Sequence, residues 1–80
     1  MNLDEEKTMK EEIIKLISDT LGVPVDENTE MGSITQWDSI HNLIVIQTVA
    51  EHYGVEIPDD DIFDLVSVKT ITAEMEKLKA

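Results

Sequence analysis

The sequence lacks cysteine, and this absence limits how the fold can be stabilised. Its 80 residues are enough for one domain and short for two. Without cysteine there are no disulfide bonds and no Cys-based metal sites, so the apolar core has to hold the fold unaided. A domain of this size buries only about 60% of the surface that its unfolded chain exposes, which argues against a deep, water-excluding active site. We therefore expect a single domain over residues 1–80, held together by helix packing.

The sequence also lacks a long apolar segment. No apolar run approaches the roughly 18 residues that a membrane-spanning helix needs. The first residues, MNLDEEKTMKEE, are charged and do not contain the apolar stretch of a secretory signal. These two observations predict a cytoplasmic protein with no membrane span.

Basic residues are scarce, and the formal net charge is −12. All six lysines lie near the two ends, so the segment from Leu16 to Val68 contains no Lys or Arg. That segment carries eleven acids: Asp19, Asp26, Glu27, Glu30, Asp38, Glu51, Glu56, Asp59, Asp60, Asp61 and Asp64. Such a field repels nucleic acid and anionic membranes and attracts basic protein surfaces, although acidity by itself also serves solubility.

The apolar spacing predicts helices nearly everywhere that it is regular. A first helix over about residues 4–20 has one apolar face and ends before Gly22 and Pro24; the face is formed by Met9, Ile13, Leu16, Ile17 and Leu21. A long connection over residues 22–37 follows. We predict that Met31, Ile34 and Trp37 pin this connection to the core.

Three further helices are predicted. Helix 2 runs from about Ser39 to Tyr53 and ends at Gly54, and its apolar face is formed by Leu43, Ile46, Val49 or Ala50, and Tyr53. A short third helix, near Asp60 to Leu65, offers Ile62, Phe63 and Leu65 to the core. Ser67 caps a fourth helix with Val68, Ile71, Met75 and Leu78 on its apolar face. The fold class is all-α: a four-helix bundle with a short third helix and a long loop between helices 1 and 2.

Asp38 and Ser39 stand where helix 2 begins. If Asp38 caps the helix, Ser39 lies in the first turn, where free backbone N–H groups and the positive end of the helix dipole favour a phosphate ester. The same two residues also suit a plain helix cap, and position alone leaves both interpretations open.

The motif Asp38-Ser39-Ile40, the apolar helix that follows it and the segment Gly-Val-Glu-Ile-Pro-Asp from Gly54 to Asp59 resemble the acyl carrier proteins. The resemblance extends over the whole chain and includes the acidity and the order of the four helices. It implies an acyl-carrier-protein-like fold and a 4′-phosphopantetheine arm, transferred from coenzyme A to Ser39 by a phosphopantetheinyl transferase. Asp38 would cap the helix and help to position the transfer.

The family implies a protein without chemistry of its own, which carries acyl groups as thioesters and presents them to enzymes with basic docking surfaces. Met31, Ile71 and Met75 would then either line a cavity for the acyl chain or be ordinary core. A monomer is expected. A peptidyl carrier, or an unmodified acidic helical adaptor that binds a basic protein surface, are the alternatives.

Helix 2 departs from the family pattern because Glu51 is its only acid. Where acids or small residues are common in the family, this chain has His41, Ile44, Gln47 and Ala50. We therefore predict a dedicated carrier, of a secondary rather than a general fatty-acid pathway. Its partners would recognise an apolar helix 2 and the acidic segment after it, through Ile40, His41, Ile44, Glu51, Asp59, Asp60 and Asp61. The presence of a tryptophan, Trp37, before the motif is also similar to carriers of polyketide, peptide or saccharide-acylating pathways.

The sequence supports neither a hydrolase site nor a calcium site. Side chains at i and i+2 on a helix do not face each other, so His41 is badly placed to activate Ser39 as in a hydrolase, and His52 lies nearly four turns away. The run Asp59-Asp60-Asp61 is not a calcium loop, because Asp64 stands where an EF-hand needs glycine. We expect no catalytic residue and no metal site.

Overall fold

A computed structural model describes the backbone of residues 3–79 and the side chains of residues 9–79. The four helices are α1 (Leu3–Leu21), α2 (Ser39–Tyr53), α3 (Asp59–Ile62) and α4 (Val68–Lys79). Helices α1, α2 and α4 pack against one another. The predicted all-α bundle, with its short third helix and its long connection between α1 and α2, is confirmed.

The core lies between the three long helices. Each contributes apolar residues at helical spacing, and Trp37 and Leu65 close the core from the connections. The buried apolar residues are Ile13, Ile17, Leu21, Trp37, Val45, Ile46, Val49, Leu65, Val68, Ile71 and Met75. Ile71 and Met75 are completely buried, which makes them part of this core.

The ends of α2 and α4 agree with the sequence signals. Gly54 follows α2 with φ = 66°, a left-handed conformation that favours glycine, and the next amide, that of Val55, donates to Ala50 O at 3.1 Å. Ser67 caps α4, because its Oγ accepts a hydrogen bond from the Thr70 N–H at 3.1 Å.

The long connection between α1 and α2 is tied down at both the backbone and the side-chain level. The Met31 N–H donates to Val66 O at 2.7 Å, and the Val68 N–H donates to Thr29 O at 3.1 Å. These bonds attach the connection to the segment that precedes α4. Trp37 is fully buried, and Met31 and Ile34 are half-buried against the core. The predicted anchoring by Met31, Ile34 and Trp37 is confirmed.

The prediction for the inner face of α2 was wrong at one position. Leu43 is 58% exposed, whereas the inner stripe is formed by Asn42, Val45, Ile46 and Val49. The spacing 42, 45, 46, 49 is itself a regular helical face, and Leu43 lies one step off it. A polar residue, Asn42, takes the inner position that was predicted for Leu43, because its amide group finds partners inside the protein.

The prediction for the third helix was wrong in its bounds and at Phe63. Helix α3 begins at Asp59 and ends at Ile62, so it comprises a single turn, and Phe63 is 86% exposed. Ile62 is half-buried and Leu65 is buried, as expected. Phe63 lies between these two inward residues, and its own ring is exposed to solvent.

Candidate functional site

The start of α2 has the geometry of a side-chain-capped helix. Asp38 is extended, with φ = −100° and ψ = −176°, and its Oδ1 accepts a hydrogen bond from the His41 N–H at 2.8 Å. Asp38 O accepts the first helical bond, from the Asn42 N–H at 2.9 Å. Ser39 is therefore the first residue of the helix, at the positive end of its dipole.

Ser39 differs from the other three serines in the hydrogen bonding of its hydroxyl. Among the described residues, no protein group bonds the exposed Ser39 Oγ. Ser18 Oγ accepts from the Val25 N–H, Ser33 Oγ donates to Glu30 O, and Ser67 Oγ accepts from the Thr70 N–H. Those three hydroxyls hold turns and caps, whereas the Ser39 hydroxyl points into solvent.

His41 pairs with Asp38 and not with Ser39. Its Nδ1 lies 2.8 Å from Asp38 Oδ1, so a single carboxylate oxygen faces both the backbone N–H and the imidazole of His41. Together these bonds lower the pKa of the Asp38 carboxyl, the backbone N–H more than the ring. A Ser–His pair that could activate Ser39 as a nucleophile is therefore not formed.

A buried polar bridge fixes the beginning of α2. Trp37 Nε1 donates to Asn42 Oδ1 at 2.8 Å, and Asn42 Nδ2 donates to Leu65 O at 2.9 Å. The residue that precedes Asp38 is thus locked to the first turn of α2 and to the segment between α3 and α4. This bridge anchors the backbone on which Asp38 and Ser39 project outward.

The outer surface of α2 near Ser39 is apolar. Ile40 is 69% exposed, and Ile44 is 48% exposed one turn further along the helix, next to the exposed Leu43. His41 and Glu51, the other residues of α2 predicted to contact partners, are exposed as well. Leu43 was not among the predicted contact residues, because the spacing had placed it in the core.

The three acids of α3 differ in their exposure. Asp59 and Asp60 are exposed, whereas Asp61 is partly buried, with its Oδ2 3.5 Å from Lys77 Nζ. Asp61 also lies beside Glu74, which belongs to α4 and is buried. Asp61 therefore contacts α4 directly.

Two residues that matter here were missed from the sequence, and one signal could have found both. Asn42 and Glu74 each stand on the apolar stripe of a helix, three or four residues from buried apolar neighbours. A polar residue at such a position is predicted to be buried and to need partners. Asn42 has them, but Glu74 Oε2 has no hydrogen-bond partner.

The described residues contain no cluster of three or more His, Asp or Glu side chains that could hold a metal ion. Nor does any helix in that part of the chain combine the length and the apolar character needed to cross a membrane.

His52 stacks edge-on against Tyr53, with ring centroids 4.8 Å apart.

Comparison with known proteins identifies one family. Residues 11–75 match the family model described as the phosphopantetheine attachment site. A search of the solved structures found no significant match.

Curated relatives cover most of the chain. The acyl carrier protein of Zymomonas mobilis subsp. mobilis is 32% identical over 73 residues, covering 88% of this chain and 94% of the relative. The acyl carrier protein of Nitratidesulfovibrio vulgaris is 34% identical over 65 residues, covering 78% and 86%. That of Akkermansia muciniphila is 26% identical over 77 residues, covering 92% and 96%.

Proposed function

The chain belongs to the acyl carrier protein family, whose members bear a covalent 4′-phosphopantetheine and are not enzymes, and we propose that Ser39 holds this group. Phosphopantetheinyl transferases modify such carriers, and acyl-processing enzymes use them.

The observation that carries the proposal is the exposed hydroxyl of Ser39 at the first residue of α2. An attachment residue has to be reachable by a transferase, and this hydroxyl is exposed and has no protein partner among the described residues. A phosphodiester on Ser39 Oγ would lie at the positive end of the α2 dipole, which favours an anion. The residues present therefore fit the group.

Asp38 has two roles in this proposal. Its Oδ1 caps α2 and is engaged by His41, whereas Oδ2 has no hydrogen bond to the described residues, so we propose that it helps to position the transfer to Ser39. When bound, the group supplies the thiol on which acyl chains are held as thioesters. The buried bridge from Trp37 through Asn42 keeps the attachment residue on a rigid base, while the arm itself moves.

We propose that residues 1–80 act as one cytoplasmic, monomeric carrier domain, in a dedicated or secondary biosynthetic pathway. The apolar outer surface of α2 supports a dedicated role, because a partner that recognises Ile44 differs from one that recognises an acid at that position. A peptidyl instead of an acyl cargo is compatible with the same site.

The proposed partner surface combines this apolar patch with nearby charge. Ile40 and Ile44 supply the apolar contacts, with His41 and Glu51 on the same helix, and Asp59 and Asp60 attract basic groups of the partner. Asp61, also predicted from the sequence, contributes less directly, because its carboxylate faces Lys77 and Glu74.

The first experiment is the intact mass of the protein before and after incubation with coenzyme A, Mg²⁺ and a broad-specificity phosphopantetheinyl transferase. We expect the wild type to gain one phosphopantetheine and Ser39→Ala to gain none. Ser33→Ala is the matched control: it removes another exposed serine just before α2 and should be modified like the wild type.

An unmodified but folded wild type, shown by its starting mass to carry no group already, would contradict the proposal. It would leave Asp38 and Ser39 as a helix cap and favour the acidic adaptor. In that case Ser39→Ala would bind a basic partner surface as well as the wild type does.

The partner surface is tested by charge reversal. Asp59→Lys with Asp60→Lys should slow modification or acyl transfer, and the difference should shrink at high salt, because exposed charges are screened. Asp19→Lys with Glu11→Lys reverses the same amount of exposed charge on α1 and serves as the control. Equal slowing by both pairs would show that net charge, and not α3, is what the partner senses.

A further inference from the structure

Glu74 is a buried acid to which the carrier function assigns no role. Its side chain is 9% exposed, just beneath the surface, and its Oε2 accepts no hydrogen bond from any described residue. A buried carboxylate oxygen without a donor costs free energy, because it has lost its bonds to water. This cost favours protonation of the Glu74 carboxyl group, since a neutral carboxyl is less costly to bury than a carboxylate.

The charged groups around Glu74 also favour its protonated form. Asp61 on α3 lies beside it, Asp64 follows in the next connection, and Lys77 on α4 has its Nζ 3.9 Å from Glu74 Oε1 and 3.5 Å from Asp61 Oδ2. These are the charged groups that act on Glu74, and acids outnumber the single cation. A proton on the Glu74 carboxyl would turn it into a donor to the neighbouring Asp61 carboxylate.

Helix α3 depends on few other contacts. It is one turn long, it has no buried residue, and Pro58 at its start makes no capping bond through its side chain. Besides the half-buried Ile62, Asp61 connects this turn to the bundle through its contact with α4. Any change in those contacts therefore changes how firmly α3 is held.

We propose that Glu74, Asp61 and Lys77 form a pH-sensitive latch, which holds α3 against α4 while the Glu74 carboxyl is protonated and loosens when that carboxyl ionises. In the closed form, protonated Glu74 donates to Asp61, and Lys77 neutralises the Asp61 carboxylate. In the ionised form, two adjacent carboxylates repel each other across the α3–α4 contact, and one ammonium group does not offset both.

Electrostatics supports the latch. Burial, and then Asp61, raise the pKa of Glu74 above its ordinary value of 4.5, while Lys77 acts in the opposite direction. Because opening of α3 releases Glu74 to water, the closed form binds the proton more tightly than the open form. Between the two pKa values the ratio of open to closed α3 therefore rises about tenfold per pH unit.

The latch matters for recognition, and this consequence rests on the proposed function. Asp59 and Asp60, the acids proposed to contact partners, belong to the same turn as Asp61. Loosening α3 changes how rigidly these two carboxylates are presented. Partner enzymes that require a fixed α3 are then expected to work faster at the acidic end of the pH range.

The test is amide hydrogen exchange of Asp64 and Leu65, which donate to backbone oxygens within this turn, measured by NMR from pH 4 to pH 8. After correction for intrinsic exchange, the wild type should lose protection by about tenfold per pH unit from pH 4.5 up to the pH at which the Glu74 carboxyl carbon titrates, and should level off above it. Glu74→Gln keeps a donor for Asp61 and should show no such loss. Glu76→Gln, an acid-to-amide change on the same helix, is the matched control and should follow the wild type.

The same loss of protection in Glu74→Gln as in the wild type would overturn the latch, as would a Glu74 carboxyl that titrates at or below 4.5. If Glu74→Gln does not fold, Asp61→Asn replaces it, since this change removes the repulsion and should also abolish the pH dependence. Intact mass tests the attachment site independently of the latch. Glu74→Gln should still gain phosphopantetheine. A wild type that gains none would contradict the attachment site and would leave the exchange result unchanged.

Discussion

The indole Nε1 of Trp37 donates a hydrogen bond to Asn42 Oδ1 at 2.8 Å, and both side chains are buried. Through Asn42 Nδ2 the bridge continues to Leu65 O at 2.9 Å. The residue before the Asp-Ser motif, the first turn of α2 and the connection before α4 are therefore joined by two bonds that share one amide group. Buried polar links of this kind select one arrangement of the chain, because every alternative leaves a donor or an acceptor unpaired.

Replacing Asn42 by Ala should destabilise the protein by about 2–4 kcal/mol, since Trp37 Nε1 and Leu65 O both lose their partner in a buried place. Urea unfolding followed by Trp37 fluorescence measures this change. Gln47→Ala, an exposed amide on the same helix, is the control and should change stability by less than about 0.5 kcal/mol. A small effect of Asn42→Ala would mean that water replaces the bridge.

Asp38→Ala should lower stability, because it removes the cap of α2, whereas Asp38→Asn keeps an oxygen for the His41 N–H and should preserve most of it. If the carboxylate also positions the transfer, Asp38→Asn should be folded and yet modified more slowly. Intact mass against time, together with circular dichroism, separates these two roles. Equal modification rates for Asp38→Asn and the wild type would restrict Asp38 to capping.

The contribution of Asp38 should also depend on pH, with a definite sign. Its hydrogen bonds with His41 lower its pKa in the folded state below the ordinary value of 3.8. The charge-dependent part of the stabilisation is therefore fully present above pH 3.8 and is lost as the pH falls towards the folded pKa. The protonated carboxyl still offers an oxygen to the His41 N–H, so the urea midpoints of the wild type and Asp38→Ala should differ more at pH 7 than below pH 3.8; an undiminished gap in acid would contradict this account.

Tyr53 joins the end of α2 to α1. Its hydroxyl donates to Glu12 Oε1 at 2.8 Å, and partial burial together with the nearby carboxylate raises the pKa of Tyr53. Tyr53→Phe should cost about 0.5–1.5 kcal/mol, the usual net value of one hydrogen bond. In a double-mutant cycle with Glu12→Ala the two losses should not add, whereas additive losses would show that the bond contributes nothing.

Phe63 and Leu65 should respond oppositely to truncation, although they are two residues apart. Leu65→Ala removes a buried side chain and should cost about 2–5 kcal/mol. Phe63→Ala removes an exposed ring and should change the free energy of unfolding by less than about 0.5 kcal/mol. Urea unfolding of both variants checks this contrast, and a large loss in Phe63→Ala would place the ring in the core.

Local patterns of the sequence determined the bounds of α2, the end at Gly54, the cap at Ser67 and the Asp-Ser motif at the start of a helix. Each depends on a signal carried by a few neighbouring residues: a cap, a glycine that adopts positive φ, or apolar residues three and four apart. The long connection was also predictable, because Trp37 and its apolar companions need burial wherever the chain places them.

Only the tertiary structure decided which polar groups are buried and which apolar groups are not. Leu43 and Asn42 are adjacent on α2, and periodicity favours burial of the leucine. Asn42 is inside because Trp37 and Leu65, from two different connections, present a donor and an acceptor to its amide. Tertiary packing likewise decided that Glu74 is buried and that Phe63 is exposed. Whether a side chain is covered depends on elements distant in sequence, and a local pattern carries no information about where those elements pack.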